Sequence, residues 1–320
     1  MASEKLVDVE IKPLLDFFPP IEFSREGLPA LRQMFADMLA AAPAAPDSSV
    51  TMSQVSIAGP AKAPPLRILC YRPATSTIAR PAVLHIHGGG YVIGTPDMMD
   101  LSNRRLAADV NCAVFSVDYR LAPETPHPGP VEDCYAALKW LYDNAGSLNI
   151  ERARIAVKGE SAGGGLAAAL ALLARDRGEV PLVHQHLIYP MLDDRTIITS
   201  SANPHPFVGE YVWTPVQNRF GWASLLAAEP GSAGVSPYAA PARADKLTGL
   251  PSTFISVGAL DLFLEEDLEY ARRLTRAGIP VELHVYPGAF HGFDFAPQTA
   301  RVALAAARDS EAALRKALHG

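Results

Sequence analysis

Short apolar runs recur along the chain from about residue 50 onward, and most are separated by stretches whose apolar residues repeat at helical spacing. Residues 51–58 and 66–71 alternate apolar and polar positions, as a half-exposed hairpin or edge pair would. Residues 81–87, 113–119, 154–158, 186–189, 253–257 and 281–286 are short apolar runs that predict strands. Between most of them, residues 98–109, 131–144, 162–175, 265–277 and 298–318 predict helices. Alternation of this kind predicts an α/β fold, a mostly parallel central sheet with helices on both faces. Parallel neighbours need the intervening helix as a crossover.

Two segments depart from that rhythm. Residues 7–18 and 24–41 predict two helices ahead of the first strand, with Ser24 as N-cap of the second. Residues 42–49, rich in Ala and Pro, read as a linker. From 193 to about 240 the chain runs through Pro, Asn and Trp before strand signals return, and a loop of that length inside a domain is usually functional. The expected organisation is an N-terminal helical cap segment at 1–46 and a catalytic domain at 47–320, with a cap insertion at about 193–240.

Composition narrows the function classes. The 320 residues are 49% hydrophobic and 19% charged, with a net charge of −6 and no basic run. That supports one large core and gives no footprint for nucleic acid. Cys70, Cys112 and Cys134 lack paired or metal-ligand spacing, so they read as buried free thiols and no metal site is expected. Residues 1–20 lack the continuous apolar core of a secretory signal. The small-apolar run at 162–174 is shorter than the roughly 20 residues a bilayer requires. Cytoplasmic residence without stable membrane association is the expectation.

The chemistry begins at Gly159-Glu160-Ser161-Ala162-Gly163, a G-x-S-x-G sequence that follows a predicted strand and opens a predicted helix. A sharp strand-to-helix turn projects such a serine above the sheet. His87-Gly88-Gly89-Gly90-Tyr91 follows another strand, and its glycines can turn backbone N–H groups toward an oxyanion together with the N–H of Ala162.

A serine hydroxyl needs a neighbouring base. Of the histidines beyond Ser161, His291 lies in the loop after the strand ending near Tyr286, at the edge where open α/β sheets bind ligands. His184, His186, His205, His284 and His319 read as structural or solvated. Asp261 leaves another strand end, after Gly258, and is the candidate acid that orients the imidazole. Glu265, Glu266 and Asp267 suit the first turn of the next helix.

Together these motifs resemble the hormone-sensitive-lipase-like carboxylesterases, bacterial family IV of the α/β-hydrolase superfamily. The resemblance covers about residues 81–291 and rests on His87 to Gly90, Asp118-Tyr119-Arg120-Leu121-Ala122-Pro123-Glu124, Gly159 to Gly164, Asp261 and His291. It implies a triad of Ser161, Asp261 and His291, and an oxyanion hole from Gly88, Gly89, Gly90 and Ala162. The 118–124 stretch would be a supporting turn. The family further implies a helical cap, hydrolysis of short- to medium-chain acyl esters, no cofactor, and frequent homodimers. Glu160 departs from the Asp or Thr common at that position.

The expected reaction is acyl transfer through Ser161 with His291 as base. An unperturbed imidazole titrates near ~6.5, so acidification should abolish it. Phe18, Tyr211, Trp213 and Trp222 are candidates for an acyl pocket, with core packing the alternative for each. Rival readings are an amidase, peptidase or lyase using the same site, or a non-catalytic ligand-binding protein.

Overall fold

The strands form where the apolar runs predict them. The computed structural model describes residues 2–18, 21–41, 49–74, 78–196, 205–296 and 299–320. Eight strands make one sheet: β1 (Val50–Ile57), β2 (Leu66–Pro73), β3 (Arg80–Ile86), β4 (Ala113–Val117), β5 (Ile150–Glu160), β6 (His184–Ile188), β7 (Ser252–Gly258) and β8 (Val281–Tyr286). Their spatial order is β1-β2-β4-β3-β5-β6-β7-β8. β2 pairs antiparallel with β1 and β4, and all other pairs are parallel. The central strands are buried on both faces, which is why they read as continuous apolar runs.

Among the described residues the α-helices are α1 (Leu28–Ala41), α2 (Asp100–Val110), α3 (Gly129–Asp143), α4 (Ala162–Arg177), α5 (Pro215–Leu226), α6 (Leu264–Arg276) and α7 (Arg301–His319). α4 is buried along most of its length, from Ala162 to Ala174, and packs on β5 and β6. Its run of Gly, Ala and Leu lets helix and sheet approach closely.

The N-terminal residues differ from expectation. Residues 7–18 are not one helix: two short 3₁₀ turns occur instead, at Glu4–Leu6 and Lys12–Phe17. Pro13 has no N–H to continue a helix begun at Val7. Ser24 accepts a hydrogen bond from the Gly27 N–H at 3.0 Å, but α1 begins only at Leu28. Pro29 tolerates a place only in the first turn, which fixes the start there. Within the 193–240 insertion, α5 opens with a reciprocal capping box between Thr214 and Gln217, with Pro215 in the first turn. The linker expected at 42–49 lies outside the described residues except Ser49, as do 197–204 of the insertion and residue 298 of the helix expected at 298–318, which begins at Arg301.

Candidate active site

β5 ends at Glu160, α4 begins at Ala162, and Ser161 makes the turn between them with φ 57° and ψ −122°. That conformation is strained for a residue with a side chain, at about 1–3 kcal/mol. It is held by the Ser161 N–H donating to Ile188 O at 2.9 Å, and by the Gly165 and Met191 N–H groups donating to Ser161 O at 3.0 Å each. Gly163 is required by space: a Cβ there would stand 2.0 Å from the Ile86 carbonyl oxygen. The elbow therefore rests directly on the end of β3.

The other two candidates also leave strand ends. Asp261 follows β7 and His291 follows β8, and their loops are tied by the Leu260 N–H donating to Ala289 O at 2.9 Å. The structure brings the three side chains together. His291 Nδ1 lies 2.8 Å from Asp261 Oδ2, and His291 Nε2 lies 2.9 Å from Ser161 Oγ. A carboxylate only accepts, so Nδ1 carries the proton and Nε2 presents its lone pair to the serine hydroxyl. Asp261 is fully buried, and its Oδ1 accepts from the Phe263 N–H at 3.0 Å. The rings of Tyr189 and Phe263 meet the imidazole edge-on, with centroids at 4.6 and 5.3 Å.

The glycine loop lies beside Ser161. Gly89 and Gly90 have φ of 118° and 58°, and a Cβ on Gly90 would collide with the Trp213 indole at 2.2 Å. Among the described residues, no backbone carbonyl takes the amide of Gly88, Gly89, Gly90 or Ala162. The 118–124 turn braces this loop. Tyr119 donates to His87 O at 2.9 Å and stacks on the His87 ring at 4.3 Å, and Ala122 N–H donates to Tyr91 O at 2.9 Å. Arg120 is clamped by buried Asp133, which accepts from its backbone N–H, Nε and Nη2 at 2.7–3.0 Å.

Glu160 turns into a buried polar network beneath the serine. Burial alone would push its carboxyl up, but Lys158 and His85 outweigh this and hold it well below the usual carboxylate range. Its oxygens bond Lys158 Nζ and, at 2.9 Å, His85 Nε2. His85 Nδ1 in turn lies 2.7 Å from Ser116 Oγ and 3.3 Å from Asn103 Nδ2. Burial pushes the His87 imidazole down to about 4, so it is neutral at pH 7.

Ser161 and His291 open into a cavity of about 440 Å³, walled by apolar side chains from the N-terminal segment, the glycine loop and the insertion. Phe18 and Trp213 line it. Tyr211 and Trp222 are core residues instead, packed on Phe290 and Tyr91 respectively. A larger cavity of about 570 Å³ lies elsewhere, and its charged groups serve structure: Arg243 pairs with buried Asp194, and Glu266 accepts from the Leu192 N–H. His184, His186, His284 and His319 bond Ser252, Ser310, Glu282 and Val110 O respectively, none of them a triad member. His205 packs against Phe207. Among the described residues no group of three His, Cys, Asp or Glu could hold a metal ion, and no helix is long and apolar enough to cross a membrane.

Sequence reasoning missed Tyr189, Val212 and Gln217 as cavity lining. For Gln217 a signal existed, because the Thr214-Pro215-x-Gln217 pattern marks a helix start.

Comparison with known proteins shows the family and the fold. Residues 83–295 match a family described as alpha/beta hydrolase fold. The chain is 35% identical to the esterase LipI of Mycobacterium tuberculosis, over 100% of this chain and 98% of that one. Among solved structures, a bacterial heroin esterase superposes with a TM-score of 0.92 at 40% identity, covering 99% of both chains. The esterase LipW of Mycobacterium marinum superposes with a TM-score of 0.87 at 33% identity, covering 99% of this chain and 97% of that one.

Proposed function

The chain belongs to the hormone-sensitive-lipase-like carboxylesterases of the α/β-hydrolase fold and is a serine carboxylesterase, and from that membership we propose that it cleaves short- to medium-chain acyl esters through an acyl-enzyme on Ser161. The observation that carries this reading is the His291 imidazole, within 2.9 Å of the serine hydroxyl and 2.8 Å of a buried carboxylate.

In the proposed reaction His291 Nε2 takes the Ser161 proton as Oγ attacks the ester carbonyl carbon. The C=O electron pair moves to oxygen, where the amides of the Gly88–Gly90 loop and Ala162 receive it. Asp261 stabilises the imidazolium. Collapse of the intermediate breaks the bond to the alcohol oxygen, which leaves with the proton from His291. Water then repeats the attack on the acyl-serine, giving the acid and regenerating the hydroxyl. No group outside the chain is required by this scheme. Among the described residues, the carboxylate that lines the cavity, Glu160, is held by Lys158 and His85, which suits a neutral ester.

We assign residues 1–46 and the insertion at about 193–240 to the cap, because Phe18, Phe35, Trp213 and Gln217 from these segments close the cavity. Three buried free cysteines are consistent with a reducing, cytoplasmic setting, and a homodimer follows from the family resemblance alone. Initial rates on p-nitrophenyl esters, wild type beside Ser161→Ala, test the reading. Turnover lost in the variant is expected. A folded wild-type protein inert toward every ester would overturn it and favour amide or lyase chemistry.

A further inference from the structure

The chain at the end of β6 fastens the nucleophile. Ile188 O accepts the Ser161 N–H at 2.9 Å, and the Met191 N–H returns to Ser161 O at 3.0 Å. Tyr91 donates from its hydroxyl to Met191 O at 3.0 Å, which ties the same segment to the residue after the glycine loop. Tyr189 lies between those contacts. Its φ is 35°, in the left-handed region that a bulky side chain rarely adopts. Its N–H donates to Ser256 O at 2.6 Å and holds the turn. Strain of this sort persists only where the surroundings over-determine it, and it gathers at functional sites.

Both ends of the Tyr189 side chain engage the base or its loop. The ring meets the His291 imidazole edge-on at 4.6 Å, and Phe263 from the start of α6 meets the same imidazole at 5.3 Å. The hydroxyl donates to Asp294 Oδ1 at 2.7 Å. Asp294 stands three residues after His291, in the short 3₁₀ turn Phe293–Phe295. Burial, and after it the Asp294 charge, push the phenol well above its ordinary value, so Tyr189 is the donor of this bond. Tyr189 is buried, whereas Asp294 keeps contact with solvent.

The proton transfers of the reaction make no use of this bond. Asp261 fixes Nδ1 of the imidazole, and the ring can still swing about that one contact unless something holds its other end. Transfer from the serine needs Nε2 within roughly 2.6–3.2 Å of Oγ. We propose that Tyr189 and Asp294 are a positioning pair for the base: their hydrogen bond joins the segment that fastens Ser161 to the loop that carries His291, and so keeps Nε2 within reach of the serine hydroxyl. The pair touches neither the reacting atoms nor the proton in flight, and its effect falls on kcat. The proposal rests on the carboxylesterase reading above.

Initial rates on p-nitrophenyl butanoate with the full chain test it, with circular dichroism on each variant. Tyr189→Phe keeps the ring against the imidazole and removes only the hydroxyl. Its kcat should fall about tenfold, with KM within about twofold of wild type. Asp294→Ala, at the solvent side of the pair, should lose about the same tenfold. Asp294→Asn keeps an acceptor for the hydroxyl and should recover that loss to within about threefold of wild type. The double variant Tyr189→Phe with Asp294→Ala should match either single one, because both remove one bond; independent damage would instead multiply to about 100-fold. An unchanged kcat in Tyr189→Phe, a loss that falls on KM, no recovery in Asp294→Asn, or a double variant that multiplies overturns the pair. Should Tyr189→Phe fail to fold, the two Asp294 variants decide by the same split of kcat from KM and the same recovery. A wild-type protein inert toward butanoate would remove the carboxylesterase reading, and this role with it, whatever the variants show.

Discussion

Replacing Asp261 by Asn tests the triad most sharply, because the side chain keeps its shape while one acceptor becomes a donor. In the native site both carboxylate oxygens accept: Oδ2 from His291 Nδ1–H and Oδ1 from the Phe263 N–H. An amide has one oxygen for these two donors. If the oxygen stays on Phe263, the NH₂ faces His291 Nδ1 and drives the proton to Nε2. That tautomer points a proton at Ser161 Oγ and cannot accept one. The alternative orientation strands a buried backbone N–H, at about 1–3 kcal/mol. The unproductive arrangement therefore wins, and the productive tautomer is depleted about 5- to 150-fold. Loss of the charged hydrogen bond to the imidazolium removes a further 1.5–3 kcal/mol or so, about 10- to 150-fold. Together kcat should fall about 10²- to 10⁴-fold, with KM changed by less than about threefold. Initial rates on p-nitrophenyl butanoate, with circular dichroism to confirm folding, measure this directly. An Asp261→Asn enzyme within tenfold of wild type (about 1.4 kcal/mol) would refute the assigned tautomer and with it the role of Asp261.

Three further outcomes are expected. Gly163→Ala puts a Cβ 2.0 Å from the Ile86 carbonyl and 2.5 Å from that of His87; the displaced elbow should lose about 100-fold or more in kcat, and full activity would show that β3 yields. Asp133→Ala deprives Arg120 of three hydrogen bonds; because Arg120 reaches water in part, the cost should lie near 3 kcal/mol in urea unfolding, and a change under about 0.5 kcal/mol would refute the brace. Burial holds His87 and His184 down at about 4, so the unfolded chain binds protons that the folded chain refuses. Stability is then full above pH 6.5 and is lost as pH falls from there toward 4, by about 3 kcal/mol per histidine; a urea midpoint that stays flat from pH 7 to 4.5 would contradict this.

The parts of this molecule that could be read from sequence are those governed by local pattern. Parallel strands buried on both faces give apolar runs, and β3, β4, β6 and β7 lie where those runs predicted; β8 also lies where predicted, but as an edge strand with Leu283 and Val285 exposed. β5 shows the limit: it begins at Ile150, but Glu151, Arg152 and Arg154 make its first half look like loop. Only from Ala156 onward does it sit wholly between β3 and β6. The N-terminal segment shows another limit. Its position comes from distant partners, including the Asp8 N–H on Gly288 O and Ser3 on Glu210, and such pairings leave no period in the sequence.

The same distinction explains why three residues spread over 130 positions were recognisable as a group while their surroundings were not. Ser161 directly follows β5, Asp261 and His291 lie in the loops after β7 and β8, and β5, β6, β7 and β8 run parallel as consecutive neighbours in the sheet. Parallel neighbours open their C-terminal ends on one edge, so a motif at each strand end is carried to one place by topology alone. The wall opposite has no such constraint. Trp213 reaches Gly90 because Gly90 leaves room for its ring, Gly221 makes way for the Gly90 carbonyl oxygen, and the indole N–H donates to buried Asn218 at 3.1 Å. Those fits depend on shape between segments far apart in sequence. Chemistry at the sheet edge was therefore legible before the structure, whereas the volume that selects among esters belongs to packing across the cavity.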